Sequence, residues 1–298
     1  MLNLSSLVSL ANNAASCDVR TNLSAYQLKE ITLDLLKRPL VMGVINLSKD
    51  SWYRESVCLS SEAAITRAKL LVAAGADIVD IGAESSLSFA SRASANLQLE
   101  RLLPVVRACS QSGILCSIET YIPEVATRCL EAGAAIINLT GPGEADAIYK
   151  AVGDHDAGLV ICYVEGKNVR EVGSLTLNSD PVSPLLPWFE KEIRRASHHG
   201  VQKLFLDPGL GFYYSNLEDS SVRIRHQMNV FLSTFRICQL GFPVCHALPH
   251  AFENFGEEVR SAEGFFCVLA ALGGTKLFRT HEVSKVKAVL NTMALWRE

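Results

Sequence analysis

Several features that would point to particular classes of protein are missing from this 298-residue sequence. It contains no apolar run of about 20 residues, the length that a membrane-spanning helix needs, so no membrane association is expected. No basic stretch interleaves with aromatic residues and the net charge is −3, which argues against a nucleic-acid partner. The apolar patch at the N-terminus has no basic segment before it, so a secretory signal is not expected either.

The nine cysteines are scattered, odd in number and without C-x-x-C spacing. Disulfide frameworks and structural zinc sites use regularly spaced cysteines, so neither is expected, and a reducing, cytoplasmic location is the natural one. Hydrophobic residues make up 49% of the chain and charged residues 20%. The chain can therefore bury a large core.

From Pro39 onward, short apolar runs alternate with helical patterns. Eight of these runs are continuously apolar, which is typical of strands in a parallel sheet that is covered on both faces. The predicted strands are 39–46, 76–82, 114–119, 134–139, 158–164, 203–207, 242–247 and 275–279. The predicted helices lie near 61–74, 95–112, 122–132, 144–152, 184–199, 217–240, 257–272 and 282–296. Eight strand–helix units over about 260 residues predict an α/β fold, a (β/α)8 TIM barrel.

An open, doubly wound sheet is the alternative fold, but no G-x-G-x-x-G motif follows the first predicted strand. Residues 1–38 are predicted to be an N-terminal extension, separate from a barrel domain of residues 39–298. The leucines and isoleucine of 26–37 recur at helical spacing, so a helix that could cap one end of the barrel is expected there. The long connection at 164–187 could be a lid over the barrel or a tolerated insertion.

Polar residues follow the apolar runs, most clearly in KLFLDPGLGF at 203–212, where Asp207 ends a strand and precedes a proline and glycines. An isolated Asp-Pro-Gly would suit an ordinary turn, but similar residues end the other strands. In a TIM barrel the C-terminal ends of all strands meet at one mouth. The residues predicted there are Asn46, Asp80, Glu84, Glu119, Asn138, Cys162, Asp207, His246, Arg279 and His281.

These side chains predict a site for a flat, polar heterocycle that carries an anionic group. Carboxylates and amides can bond to the amino, ring N–H and carbonyl groups of such a heterocycle. Arg279, with His281 two residues later, suits a diphosphate because a guanidinium matches phosphate oxygens geometrically. Asn46 could help to hold a hydrated Mg²⁺ whose other ligands are substrate phosphate oxygens. For each residue taken alone, a strand-end cap or turn contact is the alternative.

Six segments resemble, in the same order, the motifs of the dihydropteroate synthase family. They are VMGVINLSKDS (41–51), ADIVDIGAESS (76–86), CSIETY (116–121), AGAAIINL (132–139), LFLDPGLGF (204–212) and FRTHEV (278–283). DSWYRES and DPGLGFYYSN look closest to the sulfonamide-insensitive branch. The resemblance implies a (β/α)8 barrel that joins a pterin methyl diphosphate to an aminobenzoate with the help of Mg²⁺. It also suggests a homodimer.

The resemblance implies roles for individual residues. The pterin is expected to contact Glu119, Asn138, Cys162, Asp207, Phe212 and His250. The diphosphate is expected to contact Asn46, Ser86, Arg279 and His281, with Asn46 also at the Mg²⁺. The expected catalytic residues are Asn46, Asp80, Glu119, Asp207 and His250.

The sequence departs from the family's pattern at the acceptor end of the site. Leu-Pro-His stands at 248–250 where the family has Ser-Arg-Lys, and Ser-Leu-Ser at 86–88 where it has Thr-Arg-Pro. Two cations that would help to bind an anionic second substrate are missing, and the mostly neutral His250 does not replace the fixed charge of a lysine. An altered acceptor pocket is therefore expected. Two other interpretations stay open: a non-catalytic pterin-binding regulator, and a methyl-group handler resembling the pterin-binding domains of corrinoid methyltransferases.

Overall fold

The computed structural model of the protein is an eight-stranded parallel barrel preceded by an N-terminal extension. It describes residues 2–15, 23–50, 54–85, 91–176, 180–211, 214, 219–249 and 251–296. The extension contains α1 (Leu4–Ala15), β1 (Tyr26–Leu28) and β2 (Ile31–Leu33). The barrel strands are β3 (Leu40–Asn46), β4 (Ile78–Gly82), β5 (Cys116–Thr120), β6 (Ile136–Leu139), β7 (Gly158–Cys162), β8 (Lys203–Asp207), β9 (Cys245–Ala247) and β10 (Leu277–Thr280). The helices that follow the strands are α2 (Ser61–Ala73), α3 (Ala95–Gln111), α4 (Pro123–Glu131), α5 (Ala145–Asp154), α6 (Leu185–His198), α7 (Ser220–Leu232), α8 (Thr234–Cys238), α9 (Phe252–Phe255), α10 (Val259–Leu272) and α11 (Val283–Met293).

The barrel strands pair in parallel in the order β8-β7-β6-β5-β4-β3-β10-β9. β8 and β9 close the ring through a parallel bridge between Leu206 and Val244, and the N–H of Leu206 donates to the carbonyl of Pro243 at 3.0 Å. Closure leaves no unpaired sheet edge among the described barrel strands. The predicted TIM barrel is confirmed, and the eight predicted strands and the helices between them lie close to their predicted positions.

Local sequence explains where the barrel helices begin and end. Ser60 and Ser94 cap α2 and α3, and each hydroxyl accepts a bond from the backbone N–H three residues on, at 3.2 and 3.3 Å. Gly75 and Gly133 follow α2 and α4 with φ of 104° and 109°, a conformation that residues with a Cβ rarely adopt. The serines thus begin α2 and α3, and the glycines end α2 and α4 so that the next strand can return into the barrel.

The extension differs from its predicted structure. Residues 26–37, expected to be a helix, form the antiparallel hairpin β1–β2 and a following turn. In β1, Tyr26 and Leu28 are buried and Gln27 between them is exposed, which is the alternation of a strand. The helix prediction for this segment is therefore wrong.

The hairpin closes the bottom of the barrel, opposite the C-terminal ends of the strands. Its buried side chains form one cluster with residues that begin barrel strands, including Leu40 and Leu277. The ring of Tyr26 packs edge-on against Phe205 with centroids 5.2 Å apart, and its hydroxyl donates to the carbonyl of Leu204 at 2.9 Å. The extension thus covers one end of the barrel, as expected, but does so with a hairpin. The other end, the mouth, is where TIM barrels place their sites.

None of the helices in the described part of the chain combines the length and the apolar character that crossing a membrane requires. The eight cysteines among the described residues are all buried, free thiols.

Candidate active site at the barrel mouth

The floor of the mouth is a network of charged side chains around Arg279 of β10. Its Nε donates to Oδ2 of Asp80 on β4 at 2.7 Å, and its Nη2 donates to Oε2 of Glu119 on β5. Burial lowers the pKa of Arg279, but the charges of Glu119 and Asp80 outweigh this effect and raise it above that of a free guanidinium. Removal from water raises the pKa of Glu119, and the charge of Arg279 opposes the rise. Arg279 is therefore fully charged between two carboxylates.

Asn138 of β6 joins the same network and is held on both sides. Its Nδ2 donates to Oδ2 of Asp80 at 3.1 Å, and its Oδ1 accepts from the thiol of Cys162 on β7 at 3.3 Å. These two contacts fix which way the amide faces. The other oxygen of Asp80, Oδ1, is buried and has no hydrogen-bond partner among the described residues. A buried acceptor without a partner can be satisfied by a ligand N–H or by water.

Asp207 ends β8 and completes the floor. Its side chain is almost fully buried, and its Oδ1 accepts from the N–H of Gly209 at 2.7 Å. Gly209 has φ of 74°, the left-handed conformation that lets this turn bring its N–H back to the carboxylate. Removal from water raises the pKa of Asp207 to about 6, and the Gly209 N–H and the charge of Arg279 offset only part of the rise.

The charge balance of this floor favours a ligand that donates hydrogen bonds. In the described structure it holds three carboxylates, those of Asp80, Glu119 and Asp207, and the guanidinium of Arg279. Carboxylates only accept hydrogen bonds, whereas the amide of Asn138 both donates and accepts. A heterocycle edge with ring N–H and amino groups matches this set.

Asn46 ends β3 beside the floor. Its Nδ2 donates to the hydroxyl of Ser56 at 2.6 Å. A Cβ placed on Gly82 would lie 3.8 Å from Oδ1 of Asn46 and 3.6 Å from Oε2 of Glu119, so these two oxygens face the same space. An amide oxygen and a carboxylate are ligand types that suit Mg²⁺, which usually keeps several waters and substrate phosphate oxygens. The described residues include no group of three or more His, Cys, Asp or Glu that could hold a metal alone.

His281 follows β10 and is anchored from behind by Glu263 of α10. Its backbone N–H donates to Oε2 of Glu263 at 3.2 Å, and its Nδ1 lies 3.5 Å from Oε1. The hydroxyl of Thr280 donates to the same carboxylate, which is fully buried. Sequence reasoning missed Glu263, although one carboxylate in the largely apolar stretch of α10 is a signal for such an anchor.

His246 does not reach the mouth, so its predicted place there is wrong. Its Nε2 lies 2.8 Å from the hydroxyl of Thr234 on α8, and its ring packs edge-on against Phe231 of α7 with centroids 4.8 Å apart. Burial lowers its pKa to about 3, so the ring is neutral. Side chains alternate along a strand, and since Cys245 belongs to the cluster inside the barrel, His246 faces the helices.

Glu84 lies on the rim and joins two loops. Its Oε2 accepts from the hydroxyl of Tyr121 after β5 at 2.6 Å, and its Oε1 accepts from the N–H of Ala93 at 2.9 Å. It is thus at the mouth, as predicted, but bonded to its neighbours.

The connection after β7 also contributes to the rim. Residues 164–176, called here the mouth hairpin, turn back on themselves through a bridge between Gly166 and Val172. The N–H of Glu165 donates to the hydroxyl of Tyr214 after β8 at 3.2 Å, and Oε2 of Glu165 accepts from the N–H of Thr176 at 3.0 Å. The segment is therefore a structured part of the mouth.

Phe212, Ser86 and His250 lie outside the described residues, so the roles predicted for them stay predictions. The roles of Asn46, Asp80, Glu119, Asn138, Cys162, Asp207, Arg279 and His281 are also still predictions, but the structure places all eight around one mouth.

Comparison with known proteins gives consistent results. Residues 42–281 match the family described as pterin binding enzyme. The dihydropteroate synthase of Synechocystis sp. is 29% identical over 274 residues, which cover 88% of this chain and 91% of that protein. The Thermus thermophilus dihydropteroate synthase, solved in complex with 4-aminobenzoate, superposes on this structure with a TM-score of 0.76 at 27% identity. The superposition covers 92% of this chain and 100% of the Thermus chain. The Xanthomonas albilineans enzyme, solved in complex with 7,8-dihydropteroate, has a TM-score of 0.74 at 25% identity and covers 91% and 98%. Because the match spans most of its length, this chain belongs to the pterin-binding enzyme family, and the proteins it is similar to include dihydropteroate synthases.

Proposed function

We propose that the protein is a dihydropteroate synthase-like transferase, which joins the methylene carbon of a dihydropterin methyl diphosphate to an aromatic amine. The observation that carries this proposal is the convergence of Glu119, Asn138 and Asp207 on one floor, with Asn46 and Arg279 beside them. Asp207 and Glu119 would accept bonds from the ring N–H and amino groups of the pterin. Asn138, held by Asp80 and Cys162, would present a fixed amide to the pterin edge.

In the proposed reaction, the bond between the pterin methylene carbon and the diphosphate oxygen breaks, and the diphosphate leaves with the electron pair. The amine nitrogen of the acceptor forms the new C–N bond and releases one proton. Arg279 would stabilise the charge that develops on the diphosphate, exchanging its contact with Glu119 for a phosphate oxygen. Mg²⁺, when bound at Asn46, would neutralise part of the same charge.

The acceptor end of the site is proposed to differ from that of the relatives. Residues 248–250 and 86–88 lack the cations of the family's pattern. The loss of two charge-assisted bonds would remove about 2–4 kcal/mol of binding at the transition state. The resemblance to the sulfonamide-insensitive branch, the homodimer, the cytoplasmic location and the boundary between residues 38 and 39 also stay predictions.

A non-catalytic pterin-binding protein is the second candidate, and one contact favours it. Arg279 is already bonded to Asp80 and Glu119, so a diphosphate has to compete with two carboxylates for it. If Arg279 keeps its bonds to Asp80 and Glu119 when the ligand is bound, the pterin would bind but the diphosphate would not be activated as a leaving group.

The two candidates differ in diphosphate release. We expect the full chain with Mg²⁺ to release diphosphate from 6-hydroxymethyl-7,8-dihydropterin diphosphate, with or without 4-aminobenzoate. Asp207→Asn should abolish release, whereas Asp154→Asn, which changes an exposed carboxylate of α5, should not. Binding of the ester without release would support the non-catalytic candidate. A chain that binds no pterin would refute both.

A further inference from the structure

Cys162 ends β7 and faces the inside of the barrel, between two residues of the floor. Its side chain is buried in the cluster inside the barrel, whereas its neighbour Ile161 faces the helices. β7 pairs on one side with β6, which carries Asn138, and on the other with β8, where Cys162 is in register with Asp207. A thiol therefore lies between two of the residues that are proposed to bind the pterin edge.

The thiol holds one side of the Asn138 amide. Sγ of Cys162 donates to Oδ1 of Asn138 at 3.3 Å. On the other side of the amide, Nδ2 donates to Oδ2 of Asp80 at 3.1 Å. A carboxylate only accepts hydrogen bonds, and a protonated thiol donates one. If the amide were turned over, its oxygen would face the carboxylate and its N–H groups would face the S–H, so both bonds would be lost.

The surroundings of Cys162 keep its sulfur protonated. Burial raises the pKa of the thiol well above its usual value, and the charge of Asp207 adds to the rise. The charge of Arg279 opposes the rise without cancelling it. Since a free thiol already has a pKa of about 8.5, Cys162 is a hydrogen-bond donor at neutral pH.

The two contacts leave a defined part of Asn138 for a ligand. Within the part of the chain that the structure describes, the amide is bonded to Asp80 and Cys162, so its second N–H and the second lone pair of Oδ1 remain. A ligand edge that carries an acceptor beside a donor matches this pair. An amide that is ordered before the ligand arrives loses less conformational entropy on binding.

We propose that Cys162 is a positioning residue, which acts on the pterin through Asn138 by holding its amide in the binding direction. This inference rests on the proposed function and deepens it, because it assigns the thiol to Asn138 and not to the pterin itself. Without the thiol, Asp80 alone would hold the amide, and the ligand would have to order it. The effect of Cys162 on pterin affinity should therefore require Asn138.

Pterin binding to the full chain tests this assignment. Isothermal titration would compare the affinity for 6-hydroxymethylpterin of the parent, Cys162→Ala and Cys162→Ser. We expect Cys162→Ala to bind the pterin about five- to tenfold more weakly, and Cys162→Ser, whose hydroxyl keeps a donor, to bind within about twofold of the parent. The matched control is Cys129→Ala, which removes a buried thiol of α4 in the cluster between strands and helices. It should leave the pterin affinity within about twofold of the parent.

A second background separates positioning from direct contact. In Asn138→Ala, a further Cys162→Ala change should alter the pterin affinity by less than about twofold, because the residue through which the thiol acts is gone. An undiminished loss in that background would show that the thiol contacts the pterin itself and would overturn the proposal. Parent-like affinity in Cys162→Ala, or no recovery in Cys162→Ser, would overturn it as well.

The S–H stretch of Cys162 gives a measurement that needs no ligand. Infrared difference spectra of the parent against Cys162→Ala isolate this band, and a hydrogen-bonded thiol absorbs at a lower frequency than an unbonded one. We expect the band to move to a higher frequency in Asn138→Ala, and a band that stays in place would overturn the contact. If the parent binds no pterin, the proposed function fails, and the infrared band alone decides whether the thiol holds the amide.

Discussion

The ionisation of Asp207 should control pterin binding. An ordinary aspartate titrates near pH 4, whereas burial raises the pKa of Asp207 to about 6. The difference of about two pH units corresponds to about 3 kcal/mol. Because the folded state binds this proton more tightly than the unfolded chain does, the contribution of Asp207 to stability is fully present below about pH 4. It is lost as the pH rises through about 6.

Pterin binding should show the opposite trend. The N–H groups of a pterin need an ionised acceptor, so protonation of Asp207 competes with the ligand. We expect the affinity for 6-hydroxymethylpterin to be constant above about pH 7 and about tenfold lower at pH 5, since about nine tenths of Asp207 would then be protonated. Isothermal titration between pH 5 and pH 8 measures this directly, and thermal unfolding over the same range follows the stability.

The matched variant is Asp207→Asn, which keeps the shape but turns one acceptor oxygen into an N–H donor. It should bind the pterin about 2–4 kcal/mol more weakly and lose the pH dependence of binding between pH 5 and pH 7. Asp154→Asn, an exposed carboxylate far from the floor, should keep the profile of the parent. A parent affinity that does not change between pH 5 and pH 8 would refute the reasoning, and so would an Asn variant that binds as tightly as the parent.

Three further predictions address the anion, the barrel bottom and the acceptor. Arg279→Gln should weaken binding of the pterin diphosphate ester by about 2 kcal/mol more than binding of hydroxymethylpterin, since only the ester carries the diphosphate charge. Equal losses of affinity for the two ligands in isothermal titration would point to a structural role for Arg279. Tyr26→Phe removes the donor to the buried carbonyl of Leu204 and should lower the free energy of unfolding by about 1–2 kcal/mol. Urea unfolding measures it, and an unchanged midpoint would contradict the account of the barrel bottom. Finally, the parent should form little dihydropteroate from 4-aminobenzoate and bind sulfonamides weakly, while His250→Lys should improve the pterin step more than the acceptor step. A parent rate of about 1 s⁻¹ or more would show that the acceptor pocket works as it stands.

The barrel could be predicted from the sequence because its strands are covered on both faces. Such strands appear as continuous apolar runs, and β6 and β8 both lie within predicted segments. The convergence of Asn138, Asp207 and Arg279 followed from the fold, since parallel strands in a barrel all end at one mouth. Their bonds to one another did not follow, because they depend on side-chain directions and lengths that spacing along the chain does not give.

The failures have separate physical causes. The leucines of 26–37 fit a helical period, but the strands there are only three residues long, too short to show a clear alternation. His246 was placed at the mouth by its position near a strand end, whereas the alternation of β9 turns it toward the helices. The hydrogen bond from the guanidinium of Arg170 to the carbonyl of Ser85 could not be predicted either, because the two residues lie 85 positions apart in the chain.

The hairpin at the barrel bottom limits how far the chain can be shortened from its N-terminus without loss of stability. The family match begins at Met42, inside β3, yet Tyr26 and Leu28 of the extension fill the bottom of the barrel. A recombinant fragment that begins at the match would lack the hairpin. It would leave Phe205 and the first residues of the strands exposed to water as an apolar patch. Such a fragment should aggregate or melt early even though every mouth residue is present. The segment that matches the family, residues 42–281, is thus shorter than the segment that is needed for a stable fold, which includes the hairpin.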